Sequence, residues 1–232
     1  MLRLEGVQIR SGDFTLRADW SVETGARVAV IGPSGAGKTT LLEAIAGFRD
    51  LAAGRILWDG RDIGRDAPGA RPIAMLFQDG NLFPHLSVAE NAGLGVSPDL
   101  RLTPADRTRV RQALARVGLE GLEDRKPAAL SGGQQSRAAL ARVLLQGRPL
   151  LLLDEPFAAL GPALKAEMLD LVAELAAESG ATLMMISHDP ADARRIAGQA
   201  ILVADGVAGA PQPVAALLDT PPPALRAYLG EG

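Results

Sequence analysis

Gly32-Pro33-Ser34-Gly35-Ala36-Gly37-Lys38-Thr39 follows the apolar run Val28-Ala29-Val30-Ile31 and precedes the helix-like Leu41-Leu42-Glu43-Ala44-Ile45. This strand, loop and helix decide the fold class. A glycine-rich loop in that place lets backbone N–H groups wrap a phosphate, while the helix behind it aims its positive end at the same point. Lys38 adds a full charge, and Thr39 offers a hydroxyl to the Mg²⁺ that accompanies a nucleoside triphosphate. A plain surface turn would share the glycines, but not the lysine, the hydroxyl and both flanking elements together. Alone the loop says only nucleotide, and it fits a GTPase, a kinase or a transport ATPase.

Two further segments narrow the reading. Leu150-Leu151-Leu152-Leu153 is continuously apolar, as a central parallel strand covered on both faces should be, and it ends in Asp154-Glu155. Carboxylates at that strand edge face the crevice where open α/β sheets bind ligands, so Asp154 is expected to hold Mg²⁺ and Glu155 to polarise an attacking water. Between the two lies Leu130-Ser131-Gly132-Gly133-Gln134-Gln135, leading into an alanine- and leucine-rich helical run. Ser131 and Gln134 form a capping box, which by itself marks only a well-capped helix. Two glycines in a first turn cost helix stability but bare backbone amides at a positive helix end, which makes a second anion site. One triphosphate needs one loop. The second site therefore points to a nucleotide held by another copy of the chain.

Taken in order, these segments resemble the ABC ATPase family, and the resemblance covers essentially the whole chain. Leu130 to Gln134 look like its signature motif. Gln78, after Pro72-Ile73-Ala74-Met75-Leu76-Phe77, matches the Q-loop glutamine, and His188, after Thr182-Leu183-Met184-Met185-Ile186-Ser187, matches the switch histidine. The resemblance implies ATP and Mg²⁺. It implies that Gly32, Pro33, Ser34, Gly35, Ala36, Gly37, Lys38, Thr39 and Thr40 bind the nucleotide from one side, with Ser131, Gly132, Gly133 and Gln134 gripping from a second copy. Thr39, Gln78 and Asp154 would hold the metal, and Glu155, His188 and Gln78 would carry hydrolysis. The fold implied is α/β, a P-loop NTPase with a mostly parallel central sheet, an antiparallel β subdomain and a helical signature lobe. Residues 1–232 form one ABC ATPase domain, with 1–85 and 147–232 as nucleotide-binding core and 86–146 as lobe.

Two departures from the family pattern stand out. The D-loop usually reads Ser-Ala-Leu-Asp, whereas this chain has Ala158-Ala159-Leu160-Gly161, without the carboxylate that helps couple two sites. The adenine-stacking aromatic is displaced, and Phe14 is the candidate. Phe14, Leu16, Ala18, Trp20 and Val22 alternate with polar neighbours, however, and such alternation marks the buried face of a strand, so core packing is the expectation for Phe14.

Composition sets limits. At 232 residues the chain can bury a sizeable core. Its hydrophobic content of 47% comes without an apolar run of spanning length, and Met1-Leu2-Arg3-Leu4-Glu5 does not open a signal peptide. A cytoplasmic protein is expected. No cysteine is present, which excludes disulfides and thiolate chemistry, and a net charge of −3 gives no basic field for nucleic acid. Strands are predicted near Arg3–Ile9, Phe14–Val22, Arg27–Ile31, Arg55–Trp58, Pro72–Phe77, Leu150–Leu153, Thr182–Ser187 and Ala200–Val203. Leu164, Met168, Leu171 and Leu175 repeat at helical spacing and stop at Gly180, so they are predicted as the core stripe of a helix. A short helix is predicted after Pro221-Pro222-Pro223.

The stretch from Phe77 to Gly95, with Leu82-Phe83-Pro84 exposed in its middle, lies where the family docks a membrane permease. Its wording is similar to that of the ATP-binding subunits of bacterial thiamine importers, as are Ala46-Gly47-Phe48, Pro156-Phe157-Ala158-Ala159-Leu160 and Val203-Ala204-Asp205-Gly206. Importer subunits for maltose, sulfate, spermidine or iron usually carry an extra carboxy-terminal β domain, for which this sequence leaves no room. The likeness implies a homodimer under an integral membrane permease, on the cytoplasmic face of the inner membrane. It implies a periplasmic solute-binding protein as an indirect partner, and no nucleic acid. Two alternatives stay open: import of another small solute, and an ABC ATPase of DNA repair or translation, although those usually carry coiled-coil insertions or paired ATPase units.

Overall fold

The computed structural model describes residues 1–78 and 80–229; Asp79, within the stretch expected to meet a permease, and residues 230–232 lie outside the described residues. Eight strands predicted from sequence are present: β1 (Leu2–Ser11), β2 (Phe14–Val22), β3 (Arg27–Ile31), β4 (Ala53–Trp58), β6 (Ile73–Leu76), β7 (Leu150–Asp154), β8 (Thr182–Ile186) and β9 (Gln199–Ala204). Three two-residue strands complete the sheet, β5 (Arg61–Asp62), β10 (Val207–Ala208) and β11 (Gln212–Pro213). The order is β5-β4-β1-β2-β10-β9-β3-β8-β7-β6, with β11 on β9. From β9 to β6 every neighbour in the order is parallel, whereas β4-β1-β2 is antiparallel.

Apart from Arg27, Asp154, Thr182 and Gln199 at their ends, the parallel strands are apolar because helices cover both faces. Successive side chains point to opposite sides. Leu151, Leu153, Leu183 and Met185 join one core with Ala29 and Ile31, while Leu150, Leu152, Met184 and Ile186 join the other with Val28 and Val30. Burying each leucine contributes roughly 2 kcal/mol, which fixes strand register strongly. The first core also holds residues of α2 (Val88–Gly93), α3 (Pro104–Arg116), α4 (Gly132–Leu145), α5 (Pro162–Ser179) and α6 (Pro190–Ile196). The second is closed by α1 (Lys38–Ala46) and the antiparallel strands. The chain continues through α7 (Val214–Asp219) to α8 (Pro223–Leu229), the short helix expected after the prolines.

Within α5 the buried line is not the expected stripe. Met168, Leu169, Val172 and Ala176 are buried; Leu164 and Leu171 are half-buried against the same core, and Leu175 is half-buried. Leu169, Val172 and Ala176 each follow a residue of the predicted stripe by one, so the buried face is wider than a single stripe and centred to one side of it. The helix stops at Gly180 in the left-handed conformation, as expected.

Candidate functional site

The loop after β3 opens with Gly32 at φ 145°, where a Cβ would stand 2.1 Å from the Val203 carbonyl oxygen, so no other residue fits there. Lys38, the first residue of α1, is almost wholly buried and turns its Nζ back onto the loop, 2.8 Å from the carbonyl oxygens of both Gly32 and Pro33. Burial lowers its pKa, while the charges of Glu155 and Asp154 oppose that shift. The ammonium thus stands against the same loop that the helix end faces. α1 is held at its other end by Arg71, whose Nη1 donates to the Ala44 and Ile45 carbonyls at 2.9 and 2.7 Å. A guanidinium at a helix C-terminus complements the helix dipole, and sequence reading missed it because its partners are backbone atoms far along the chain.

Strand register brings the remaining groups to the same sheet edge. Asp154 pairs with Ile186, and Ile186 pairs with Val30, so Asp154, Glu155, Ser187, His188 and Gly32 gather at the carboxyl ends of β7, β8 and β3. Asp154 is fully buried; the Thr39 hydroxyl lies near enough to oppose the rise of its pKa, and its Oδ1 has no partner among the described residues. A buried carboxylate oxygen left without a donor, beside a hydroxyl and a lysine, suits a divalent cation coordinated by oxygen. Glu155 has φ 46°, a left-handed conformation uncommon outside glycine, which turns its side chain at the strand end. Its Oε1 pairs with Nε2 of His188, whose own side chain is about half exposed.

The other expected site residues fall around this centre. Gln78 is exposed in the turn after β6, whose Leu76 pairs with Leu153 one residue before Asp154. Thr40 lies in the first turn of α1 beside Thr39. Ser131 caps α4, accepting from the Gln134 N–H at 3.3 Å while Gln134 Oε1 accepts from the Ser131 N–H at 2.9 Å. Gly132 is exposed, and a Cβ at Gly133 would meet the Leu160 side chain at 2.6 Å, so this glycine also serves close approach of the 158–160 loop. Among the described residues no hydrogen bond joins this helix end to the Gly32–Thr40 loop, which leaves it facing outward. Phe14 packs against the second core, as expected. It shares the face of Leu16, but at the start of β2 its ring is only half-buried and reaches over Gly37, about 3.0 Å from where a Cβ would sit.

A second feature lies on the β6 side. An open groove of about 350 Å³ is lined by Phe48, Met75, Phe77, Phe83, Arg142 and Arg148. Phe48 and Phe83 are 53% and 46% exposed, unusual for large apolar side chains and set close together. Arg142 of α4 donates to the Asn81 and Gly80 carbonyls at 2.8 and 2.7 Å, and the buried Asn91 of α2 bonds the Phe83 backbone in both directions at 2.7 and 3.0 Å. These bonds tie Gly80, Asn81 and Phe83 to α4 and α2. Leu82, in contrast, packs against the core of the helical lobe.

The sequence pattern described as ABC transporter matches residues 16–158, a span holding the phosphate loop, Gln78, the Ser131 motif, Asp154 and Glu155. The chain belongs to the ABC transporter family. As an ABC ATPase it is 67% identical, over 99% of its length and the whole of the relative, to the thiamine import ATP-binding protein ThiQ of Ruegeria sp. (strain TM1040). The same identity and coverage hold for ThiQ of Cereibacter sphaeroides, and ThiQ of Mesorhizobium japonicum is 48% identical over 99% of this chain and 91% of that protein. Among solved structures, a dimeric form of the ATP-binding cassette MJ0796 in a post-hydrolysis state bound to ADP and Pi matches with a TM-score of 0.83 and 28% identity. That match covers 92% of this chain and 99% of the other.

Proposed function

We propose that this chain is the ATP-binding and ATP-hydrolysing subunit of an importer for thiamine or its phosphates. The observation that carries the substrate is the 67% identity, over 99% of the chain, to proteins named as thiamine import ATP-binding proteins. The chemistry is supported by one sheet edge that gathers an anion loop, a buried lysine, a carboxylate with an unmet oxygen and a carboxylate–imidazole pair.

Gly32 to Thr40 receive the ATP phosphates, and Lys38 exchanges its loop carbonyls for phosphate oxygens, a charge-assisted contact stronger than the neutral one it replaces. Thr39 and Asp154, with Gln78, are the residues that would hold Mg²⁺, which when bound supplies charge neutralisation between the phosphates. Glu155 takes a proton from the attacking water as it bonds to the γ-phosphorus, and the bond to the β–γ bridging oxygen breaks to give ADP and inorganic phosphate. His188, paired to Glu155, holds that carboxylate and faces the γ-phosphate side.

A second copy closes the site with Ser131, Gly132, Gly133 and Gln134 at the exposed start of α4. The residue 86–146 lobe and the Phe48–Phe83 groove face an integral membrane permease, fed in turn by a periplasmic solute-binding protein. Among the described residues no helix is long and apolar enough to cross a membrane, which fits a subunit peripheral to the cytoplasmic face of the inner membrane. The test is uptake of labelled thiamine by cells that lack this gene and cannot make the vitamin. Uptake should fall to background and return with the gene; unchanged uptake rejects the substrate while leaving the ATPase reading intact.

A further inference from the structure

Behind His188, one ammonium ties the segment after β8 to α5. Lys165, in the second turn of α5, places Nζ 2.7 Å from Asp189 Oδ2 and 2.9 Å from Asp192 Oδ1. Ser187 Oγ donates to the other oxygen of Asp192 at 2.7 Å and accepts from the Asp189 N–H at 3.1 Å. Asp189 Oδ1 in turn accepts from the Ala191 N–H at 2.9 Å and caps α6. The bonded residues flank His188 on both sides. Ser187 and Asp192 are buried and the Lys165 side chain is 22% exposed, so the Lys165–Asp192 contact is only weakly screened by solvent, whereas Asp189 is 46% exposed and its pair with Lys165 is screened more. Burial would lower the Lys165 pKa, but its bonds to Asp189 and Asp192 outweigh that and hold it raised.

Packing does not need this network. α5 is anchored by Met168, Leu169, Val172 and Ala176, and α6 by Ala193 and Ile196, all in the same apolar core. What the network adds is register between two loops that line one cavity of about 240 Å³, the loop from Glu155 to Leu160 that leads into α5 and the segment from Ser187 to Asp192. α5 starts at Gly161 without a side-chain cap and without an acid in its first turn, so Lys165 is its nearest charged link to the reaction centre.

We propose that Lys165 is a positioning residue for hydrolysis: shared by Asp189 and Asp192, it fixes the segment that carries His188 against Glu155, and sets the rate of the chemical step without holding nucleotide. This rests on the reading of Glu155 and His188 as the hydrolytic pair. Small displacements at a reacting centre slow chemistry far more than they weaken binding.

The test is single-turnover phosphate release, ATP KM and Tm for the purified full chain and its Lys165→Met and Lys165→Arg variants. Lys165→Met should slow the chemical step about 10-fold or more with KM within about 2-fold of the parent, and Lys165→Arg should recover most of the rate. In a His188→Ala background, Lys165→Met should add no further loss, because its effect runs through His188. Asp192→Asn, which keeps size and the Ser187 bond, should repeat the result if Lys165→Met folds poorly. An unchanged rate, or full additivity in the double variant, overturns the proposal. Wild-type rates in His188→Ala alone would instead reject the underlying site reading, whereas a slow His188→Ala with a fast Lys165→Met rejects only this inference.

Discussion

At Asp154, burial and charge pull against each other. Burial raises its pKa, the Thr39 hydroxyl opposes this, the carboxylates of Glu155 and Glu43 add to the rise, and Lys38 offsets part of it. The sign for stability follows. The folded carboxyl binds its proton more readily than the unfolded one, so the penalty is absent below the unfolded value of about 3.9 and is fully present above the raised folded value. At neutral pH and without Mg²⁺ the charge therefore destabilises the fold. Asp154→Asn should raise the Tm of the metal-free protein at pH 7.5 by about 2–4 °C, equivalent to roughly 1 kcal/mol, with the gain shrinking as pH falls toward 4. The same variant should lose ATPase activity, and Mg²⁺ with ATP should stabilise it much less than the parent. Thermal scans at both pH values check this; a metal-free variant less stable than wild type at pH 7.5 contradicts it. Asp154 was legible from the apolar strand before it. The left-handed backbone of Glu155 and the carbonyl-seeking guanidinium of Arg71 were not, because neither leaves a local pattern in residue type.

Among the elements, α5 departs most from its family pattern and carries a separate consequence. Its N-cap is Gly161, with φ −66° and ψ 157°, an ordinary extended backbone that any residue adopts, and a Cβ there meets nothing within 4 Å. An aspartate at that place can accept from the first-turn amides and complements the positive helix end. Gly161→Asp should raise Tm by about 1 °C, since glycine is already within a few tenths of a kcal/mol of the best caps. It should also steepen the dependence of ATPase rate on ATP by restoring a carboxylate that couples two sites, and a lower Tm with an unchanged Hill coefficient would argue against both. The long strands and α4 were readable because their periodicity, caps and flanking glycines all agree. β10 and β11 were not, because a two-residue strand has no period; β10 is fixed by pairing with β2 and β9 and by the Trp20 Nε1–H bond to the Ala208 carbonyl at 3.1 Å.

For the whole molecule, the arrangement of half-sites makes the sharpest demand. The Lys38 side is built from one sheet edge of a single chain, whereas Ser131 and Gly132 at the start of α4 are exposed and the Ser131 and Gln134 side chains cap that helix end. Sequence order alone indicated two anion sites, but not that among the described residues no hydrogen bond joins them, since that depends on how the residues of α4 sit against the sheet. In the proposed mechanism, ATP bound at Lys38 presents its γ-phosphate to a second chain, and the dimer should last as long as that phosphate remains attached. Glu155→Gln removes the proton acceptor while keeping the Lys38, Thr39 and Asp154 contacts, so hydrolysis should slow by about 100-fold or more and the bridged state should accumulate. Sedimentation with Mg²⁺ and ATP should then show a dimer that reverts to monomer when ATP is withdrawn or replaced by ADP. Adding Ser131→Arg to the same variant should abolish the dimer with ATP binding intact, because a bulky side chain blocks the exposed helix end without touching the loop. A Glu155→Gln protein that binds ATP yet stays monomeric at high concentration would mean that α4 receives no phosphate from a partner, and the two-half-site mechanism would fall.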